Sequence, residues 1–241
     1  MTFSFKGALG DGWRLFKARY RALLGATAAF GLALLIIDIV LHAVESPLLD
    51  LVVAVFLSGP LLAGLQFLAL LHLRDQLPAL RPGLRALLAG FARYRPLVGI
   101  NAVLALAMIG WAALFLVGWT IALGGWSAGG AIIGALLATA STLGLAVVYV
   151  RLFFAPLLCV DSRRRLGFKA SLATSWRLTG ACFWRLLGVL LAVALLVATT
   201  AALLVLPLIF LGAPLAVAVI AAAYESIVGK AEIAVDESML D

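Results

Sequence analysis

The chain has 241 residues, 65% of them hydrophobic and only 12% charged, with a formal net charge of +7. A soluble domain carries about 25% charged residues, so there is too little polar surface here to clothe a globule in water. Lipid is the expected solvent for most of the chain, and nucleic acid is not an expected partner.

The first 21 residues are rich in Lys and Arg and lead into an apolar run over 22–44. That run is longer than the about 7–15 residues of a signal-peptide core, and no small-residue cleavage site closes it, so it is expected to stay as a membrane span. Five further runs follow, at 48–73, 97–123, 131–150 or beyond, 183–206 and 208–228. About 20 apolar residues at 1.5 Å each cross about 30 Å of hydrocarbon. Continuous apolar runs, rather than alternating ones of about ten residues, exclude membrane β-strands. The expected fold is an all-α, polytopic transmembrane bundle of six spans, one integral membrane domain over 1–241. Its last stretch, 229–241, reads as a short acidic tail with Glu232, Asp236, Glu237 and Asp241.

Charge sets the expected orientation. Lys6, Arg14, Lys17, Arg19 and Arg21 precede span one, and Arg74, Arg81, Arg85, Arg93 and Arg95 lie between spans two and three. Arg151, Arg163, Arg164, Arg165, Lys169, Arg177 and Arg185 fall between the end of span four and the start of span five, and Lys230 follows span six. The alternate connections hold Glu45 and Asp50, then uncharged 124–130, then a turn near Pro207. Cations resist crossing the bilayer and mark cytoplasmic loops, so both termini are expected in the cytoplasm of a multi-pass protein of the bacterial inner membrane. The preference for Arg over Lys, with the Ala and Leu richness, matches a GC-rich bacterial genome.

The three basic segments resemble one another where they enter the membrane. Ala18-Arg19-Tyr20-Arg21-Ala22-Leu23-Leu24-Gly25 recurs as Ala92-Arg93-Tyr94-Arg95-Pro96-Leu97-Val98-Gly99 and as Ala181-Cys182-Phe183-Trp184-Arg185-Leu186-Leu187-Gly188. Phe5-Lys6, Leu9 and Trp13-Arg14-Leu15 match Phe168-Lys169, Leu172 and Trp176-Arg177-Leu178 at a constant offset. The pattern predicts a pseudo-threefold repeat of a surface helix plus a two-span hairpin, with units 3–73, 80–160 and 166–228; chance likeness among basic-aromatic membrane borders is the alternative. Phe5, Leu9, Trp13, Phe16 and Tyr20 follow helical spacing beside Lys6, Arg14, Lys17 and Arg21. That predicts an amphipathic helix lying in the interface, cations toward lipid phosphates. Phe168, Leu172, Trp176 and Phe183 repeat the face, while Leu84, Leu88 and Phe91 with Arg85 and Arg93 are interrupted by Pro78, Pro82 and Gly83. A snorkelling border accounts for the same residues without such a helix.

Three short motifs carry a family likeness. They are Gly59-Pro60-Leu61-Leu62-Ala63-Gly64, then Arg151 through Phe153-Phe154-Ala155-Pro156-Leu157-Leu158 to Val160-Asp161, then Ala170, Ser175-Trp176, Leu178 and Gly180 before Phe183-Trp184. Together they resemble a group of poorly characterised bacterial polytopic membrane proteins, similar to the membrane domain fused to some glycerophosphodiester phosphodiesterases. The resemblance implies a six-span bundle at the cytoplasmic membrane with no established catalytic residues. The sequence shows no soluble catalytic domain, so the phosphodiesterase activity is not expected to carry over.

Ionisable groups at membrane depth are costly and face protein or a cavity. Asp38, His42 and Glu45 share one helix face, and two carboxylates with an imidazole could hold a divalent metal. The simpler reading is a polar helix end entering the outer interface, so no metal or cofactor is assigned. Arg151 sits at the inner border of span four, as a snorkelling cation or a lipid-phosphate contact. If that span runs on to Val160, Arg151 is buried and needs a carboxylate or carbonyl partner, with Glu225 or Asp161 better placed than Asp38. Gly130, Gly134, Ala138 and Thr142 form a small-residue ridge suited to helix packing, and Pro60 and Pro214 are expected to kink their spans.

No phosphate-binding loop, nucleophile elbow, metalloprotease motif or paired catalytic carboxylate is found. His42 and His72 fall on opposite sides, and Cys159 and Cys182 read as small apolar residues. The sequence therefore points to a non-enzymatic scaffold that binds anionic lipid, a partner protein or a second copy of itself. Its candidate interface residues are Lys6, Trp13, Arg14, Lys17, Tyr20, Arg93, Tyr94, Arg151, Lys169, Trp176, Arg177 and Trp184. A small transporter or permease component is the alternative, and a lipid-processing membrane enzyme a second one.

Overall fold

A computed structural model describes residues 4–42, 46–76, 87–124, 128–161, 163–164, 166–203 and 207–237, the side chains of 42, 47, 48, 89, 128 and 230–237 excepted. The described chain is helical, with six helices long and apolar enough to cross a membrane: Phe5–Leu41, Leu49–Leu73, Tyr94–Leu123, Gly129–Val160, Phe183–Leu203 and Leu208–Gly229, spans one to six. The protein is a multi-pass, all-helical membrane protein. Span one belongs to a single helix, Phe5–His42, that kinks at Arg19 (φ −123°, ψ 26°). At 1.5 Å per residue its 37 residues extend about 55 Å, well beyond the hydrocarbon thickness, so its first turns belong outside the apolar slab.

The even spans form the inside of the bundle and the odd spans the outside. Within the most apolar stretch of each span, 50%, 44% and 56% of residues are buried in spans two, four and six, against 17%, 6% and 22% in one, three and five. Burial is also lopsided along the axis. The main cluster joins Phe67 and Leu70 at the end of span two, Leu97 and Ile100 at the start of three, and Phe154 and Leu157 in four. Leu186 in span five and Tyr224 in span six complete it. These positions, with the Arg-rich connections beside them, define the basic end of the bundle. Toward the other end large apolar side chains point outward, among them Leu106 (68% exposed), Ile132 (62%) and Leu195 (69%). Lipid, as apolar as leucine, is the solvent that suits such a surface.

Each inner span is interrupted, and in each the helix resumes with a proline as its second residue. Wide π turns at Ala54–Ser58 and Leu208–Gly212 precede Gly59–Leu73 and Ala213–Glu237, and a turn at 153–154 precedes Ala155–Val160. Pro60, Pro156 and Pro214 lack an N–H and their rings would strike the carbonyl four residues back. Opening the preceding turn relieves both problems. The expected kinks are thus present, as widened turns.

Close backbone approaches fix the packing. A Cβ at Gly64 would collide with the Leu87 carbonyl oxygen, and one at Gly90 with that of Pro60, so the helix Ala89–Ala92 seats on span two through reciprocal glycines. The small-residue ridge of span four packs against span three, where a Cβ at Gly118 would lie 2.7 Å from the Ala138 nitrogen.

The two surface segments dock on the bundle through small and hydroxyl-bearing residues as well as apolar ones. In the first, Ala8, Leu15, Phe16 and Leu23 are buried while Phe5 and Trp13 are 36% and 42% exposed. The reason is Gly12: a Cβ there would lie 2.6 Å from the Val219 Cα, so the segment docks its glycine face on span six. In the helix Phe168–Gly180 the fully buried stripe is Ser171, Ser175 and Thr179, not the apolar series through Trp176. Its counterpart between spans two and three, with Pro78, Pro82, Gly83, Leu84 and Arg85, lies outside the described residues.

Candidate functional site

Span two ends at Leu73, and Asp75 follows with φ 52°. Aspartate is among the residues that tolerate this left-handed geometry, and the reversal leaves Arg74 directed back into the basic end. Arg74 Nη1 and Nη2 donate to Asp161 Oδ1 and Oδ2 at 2.8 and 3.1 Å. Its Nε and Nη2 donate to Glu225 Oε2 at 2.9 and 2.6 Å. The Arg74, Asp161 and Glu225 side chains are 4%, 1% and 27% exposed. Tyr224 donates its hydroxyl to Asp161 Oδ2 at 2.9 Å, and its ring stands edge-on to Phe154 with centroids 5.5 Å apart.

One guanidinium therefore joins the ends of spans two, four and six. Its planar fork suits two parallel bonds to a carboxylate. Burial works against the charged carboxylate of Asp161, but the Arg74 hydrogen bonds, helped by the Arg163 amide and Tyr224, overcome it and hold the group below its usual range. Burial likewise opposes the charge on Arg74, and its bonds to Asp161 and Glu225 overcome that and raise its affinity for the proton. Desolvation cancels much of the Coulomb gain of a buried pair, so this network acts chiefly to specify how the inner spans meet.

Asp161 also shapes the next turn. Its Oδ1 accepts the Arg163 amide at 3.1 Å and its carbonyl accepts that of Arg164 at 3.2 Å. Arg163 and Arg164 are thereby carried to the wall of a cavity of about 1300 Å³ at the basic end. The kinked N-terminal segment supplies another wall with Asp11, Arg14 and Arg19, and the ends of spans two and six supply His72, Asp75 and Glu225. Four arginines face three carboxylates. Arg14 pairs with Asp11, Arg19 with Asp75 at 2.8 Å, and Arg163 with Glu225 at 3.6 Å. His72 is 6% exposed, and its Nδ1 has no hydrogen-bond partner among the described residues.

Arg151 forms a second cationic feature. Its carbonyl accepts Ser175 Oγ at 2.8 Å and Thr179 Oγ1 at 3.1 Å, while its Nη1 donates to the Trp176 carbonyl at 3.1 Å. The guanidinium carbon stands 5.3 Å from the Trp176 ring centre and 5.7 Å from that of Phe183. Of the two kinds of partner expected for a buried Arg151, the structure supplies the carbonyl, and neither Asp161 nor Glu225 receives it. The helix Phe168–Gly180 brings a carbonyl and a ring to it first, and Arg74 occupies both carboxylates.

The remaining interface candidates scatter over the surface of the same end. Lys17 Nζ lies 5.0 Å over the Trp13 ring, and Phe16 links Trp13 to Tyr20. Tyr94 stacks on Phe91 with centroids 6.2 Å apart. Lys6, Lys169 and Arg177 are exposed, Arg93 is half-buried, and Trp176 and Trp184 are 44% and 79% exposed. Asp38 lines a shallow groove of about 460 Å³ with Asp50 on spans one and two. Glu45 and the His42 side chain lie outside the described residues, so the metal arrangement has only Asp38 within them. Among the described residues, no group of three or more His, Cys, Asp or Glu is gathered to hold a metal ion.

Sequence reasoning missed Arg74, His72 and Tyr224 as site residues. Glu225 was the available signal: a carboxylate in the apolar stretch of span six, at the depth where spans two and four end in Arg74 and Asp161. Compared with protein-family models, curated proteins and solved structures, the chain finds no match.

Proposed function

We propose that this is a non-catalytic membrane protein whose basic end binds anionic lipid headgroups in the cytoplasmic leaflet of a bacterial inner membrane. The observation that carries the reading is the coincidence, at one end of the bundle, of exposed cations with exposed aromatics. Lys6, Lys17, Lys169 and Arg177 share that end with Trp13, Tyr94, Trp176 and Trp184. Tryptophan and tyrosine favour headgroup depth, and each cation near an anionic surface contributes about 1 kcal/mol. Arg151, with its guanidinium 5.3 Å from the Trp176 ring centre and 5.7 Å from that of Phe183, adds a cation beside these aromatics. The positive-inside bias of the connections supports placing both termini in the cytoplasm.

The experiment is to compare lipid co-purified with the full chain against the bulk membrane. Enrichment of anionic species, reduced by Lys169→Gln with Arg177→Gln, supports the reading; lipid no richer in anionic species than the membrane contradicts it.

A second reading, a small transporter component, draws on the cavity and the three proline-interrupted inner spans. Proteoliposomes that show no protein-dependent flux over a metabolite panel would count against it.

A further inference from the structure

The rim reading leaves the interior of the cavity unassigned. Among the described residues, three of its four arginines face a carboxylate and the fourth, Arg164, does not. Arg164 Nη2 makes one long hydrogen bond, 3.4 Å to the Val228 carbonyl, and its Nε is enclosed without a partner among the described residues. Arg164 lines the cavity, and the planar fork of a guanidinium matches tetrahedral oxyanions.

We propose that the cavity is a binding site for a phosphate group, free or carried on a lipid head, with Arg164 as its principal cation. Among the described residues of the wall one positive charge is in surplus, which suits a single phosphate. Asp11, Asp75 and Glu225 repel an extended polyanion, so the site selects against one. A volume of about 1300 Å³ leaves room for an organic group beyond the phosphate. The Asp161 turn that presents Arg164 is itself clamped by Arg74, so the buried network preorganises the site. The inference goes beyond the rim reading, because it concerns a cavity whose principal cation is not among the exposed ones.

The test uses the full chain in detergent. Its unfolding midpoint is followed against inorganic phosphate and against chloride at equal ionic strength. A saturable rise with phosphate alone is expected, weakened roughly tenfold or more in Arg164→Gln, as for loss of one charge-assisted contact. Arg164→Lys retains the charge and part of the response, which separates binding from misfolding. The titration is repeated in phosphatidylcholine nanodiscs with and without phosphatidic acid. Phosphatidic acid that stabilises through Arg164 and removes the phosphate response assigns the site to a lipid head. A phosphate response that persists beside phosphatidic acid assigns it to a soluble phosphate. No response to either, or one undiminished in Arg164→Gln, overturns the proposal. The variants Lys169→Gln and Arg177→Gln read the rim separately, so the two readings fail independently.

Discussion

Arg74 and Asp161, 87 residues apart in the chain, meet through two parallel hydrogen bonds of 2.8 and 3.1 Å with both side chains almost fully buried. Removing one member of such a pair strands the other charge, which costs about 3–5 kcal/mol. Arg74→Ala and Asp161→Ala are each expected to lower the unfolding midpoint of the detergent-purified protein sharply. The double variant Arg74→Met with Asp161→Leu is expected to be more stable than either single one, because no charge is left unpaired. Tyr224→Phe, which deletes only the 2.9 Å bond to Asp161 Oδ2, should cost about 1.5–3 kcal/mol, the range for hydrogen bonds to charged groups.

Acid should act through the same carboxylate. Asp161 is held below its ordinary value, chiefly by the Arg74 bonds working against burial. A depressed carboxyl stabilises the fold above its unfolded value, about 3.9, and that contribution disappears as pH falls through the lower folded value. The stability gap between wild type and Asp161→Asn should be constant from neutrality down to about pH 4 and close below it. Unfolding midpoints measured across that range check this; a gap that widens in acid would contradict it.

Glycine substitutions should separate packing from propensity. A Cβ at Gly64 or Gly90 would meet a backbone carbonyl oxygen, which cannot rotate away, whereas one at Gly31 would meet nothing within 4 Å. Gly64→Ala and Gly90→Ala are expected to cost about 1–3 kcal/mol, as overpacking does. Gly31→Ala should leave stability unchanged or raise it by up to about 1 kcal/mol. Denaturation in a single detergent compares all three.

The spans were legible because hydrocarbon thickness writes itself into run length. Runs such as 97–123 and 183–206 fall on Tyr94–Leu123 and Phe183–Leu203 within a few residues. The small-residue ridge of span four and the kinks at Pro60 and Pro214 were legible for equally local reasons. Which cation meets which carboxylate was not. In the sequence Arg74 and Arg151 each follow an apolar run, and hydropathy assigns them the same depth. Only tertiary packing shows that Arg74 turns inward to Asp161 while Arg151 is taken by Trp176. The docked face of the N-terminal segment was hidden for a related reason. Its aromatics Phe5 and Trp13 have helical spacing, but Gly12 permits the closest approach, and Val219 takes the glycine face. A buried Ser171–Ser175–Thr179 stripe is equally invisible to hydrophobic periodicity: the Ser175 and Thr179 hydroxyls serve the Arg151 carbonyl and the helix backbone.

The account rests on the basic end facing the cytoplasm. In a chain with Cys159→Ala and Cys182→Ala, single cysteines are placed by Gly124→Cys, after span three, and by Lys169→Cys, between spans four and five. A membrane-impermeant maleimide applied to intact cells with a permeable outer membrane should label Gly124→Cys directly and Lys169→Cys only after lysis. Labelling of Lys169→Cys from outside would contradict the orientation and, with it, the lipid-binding rim.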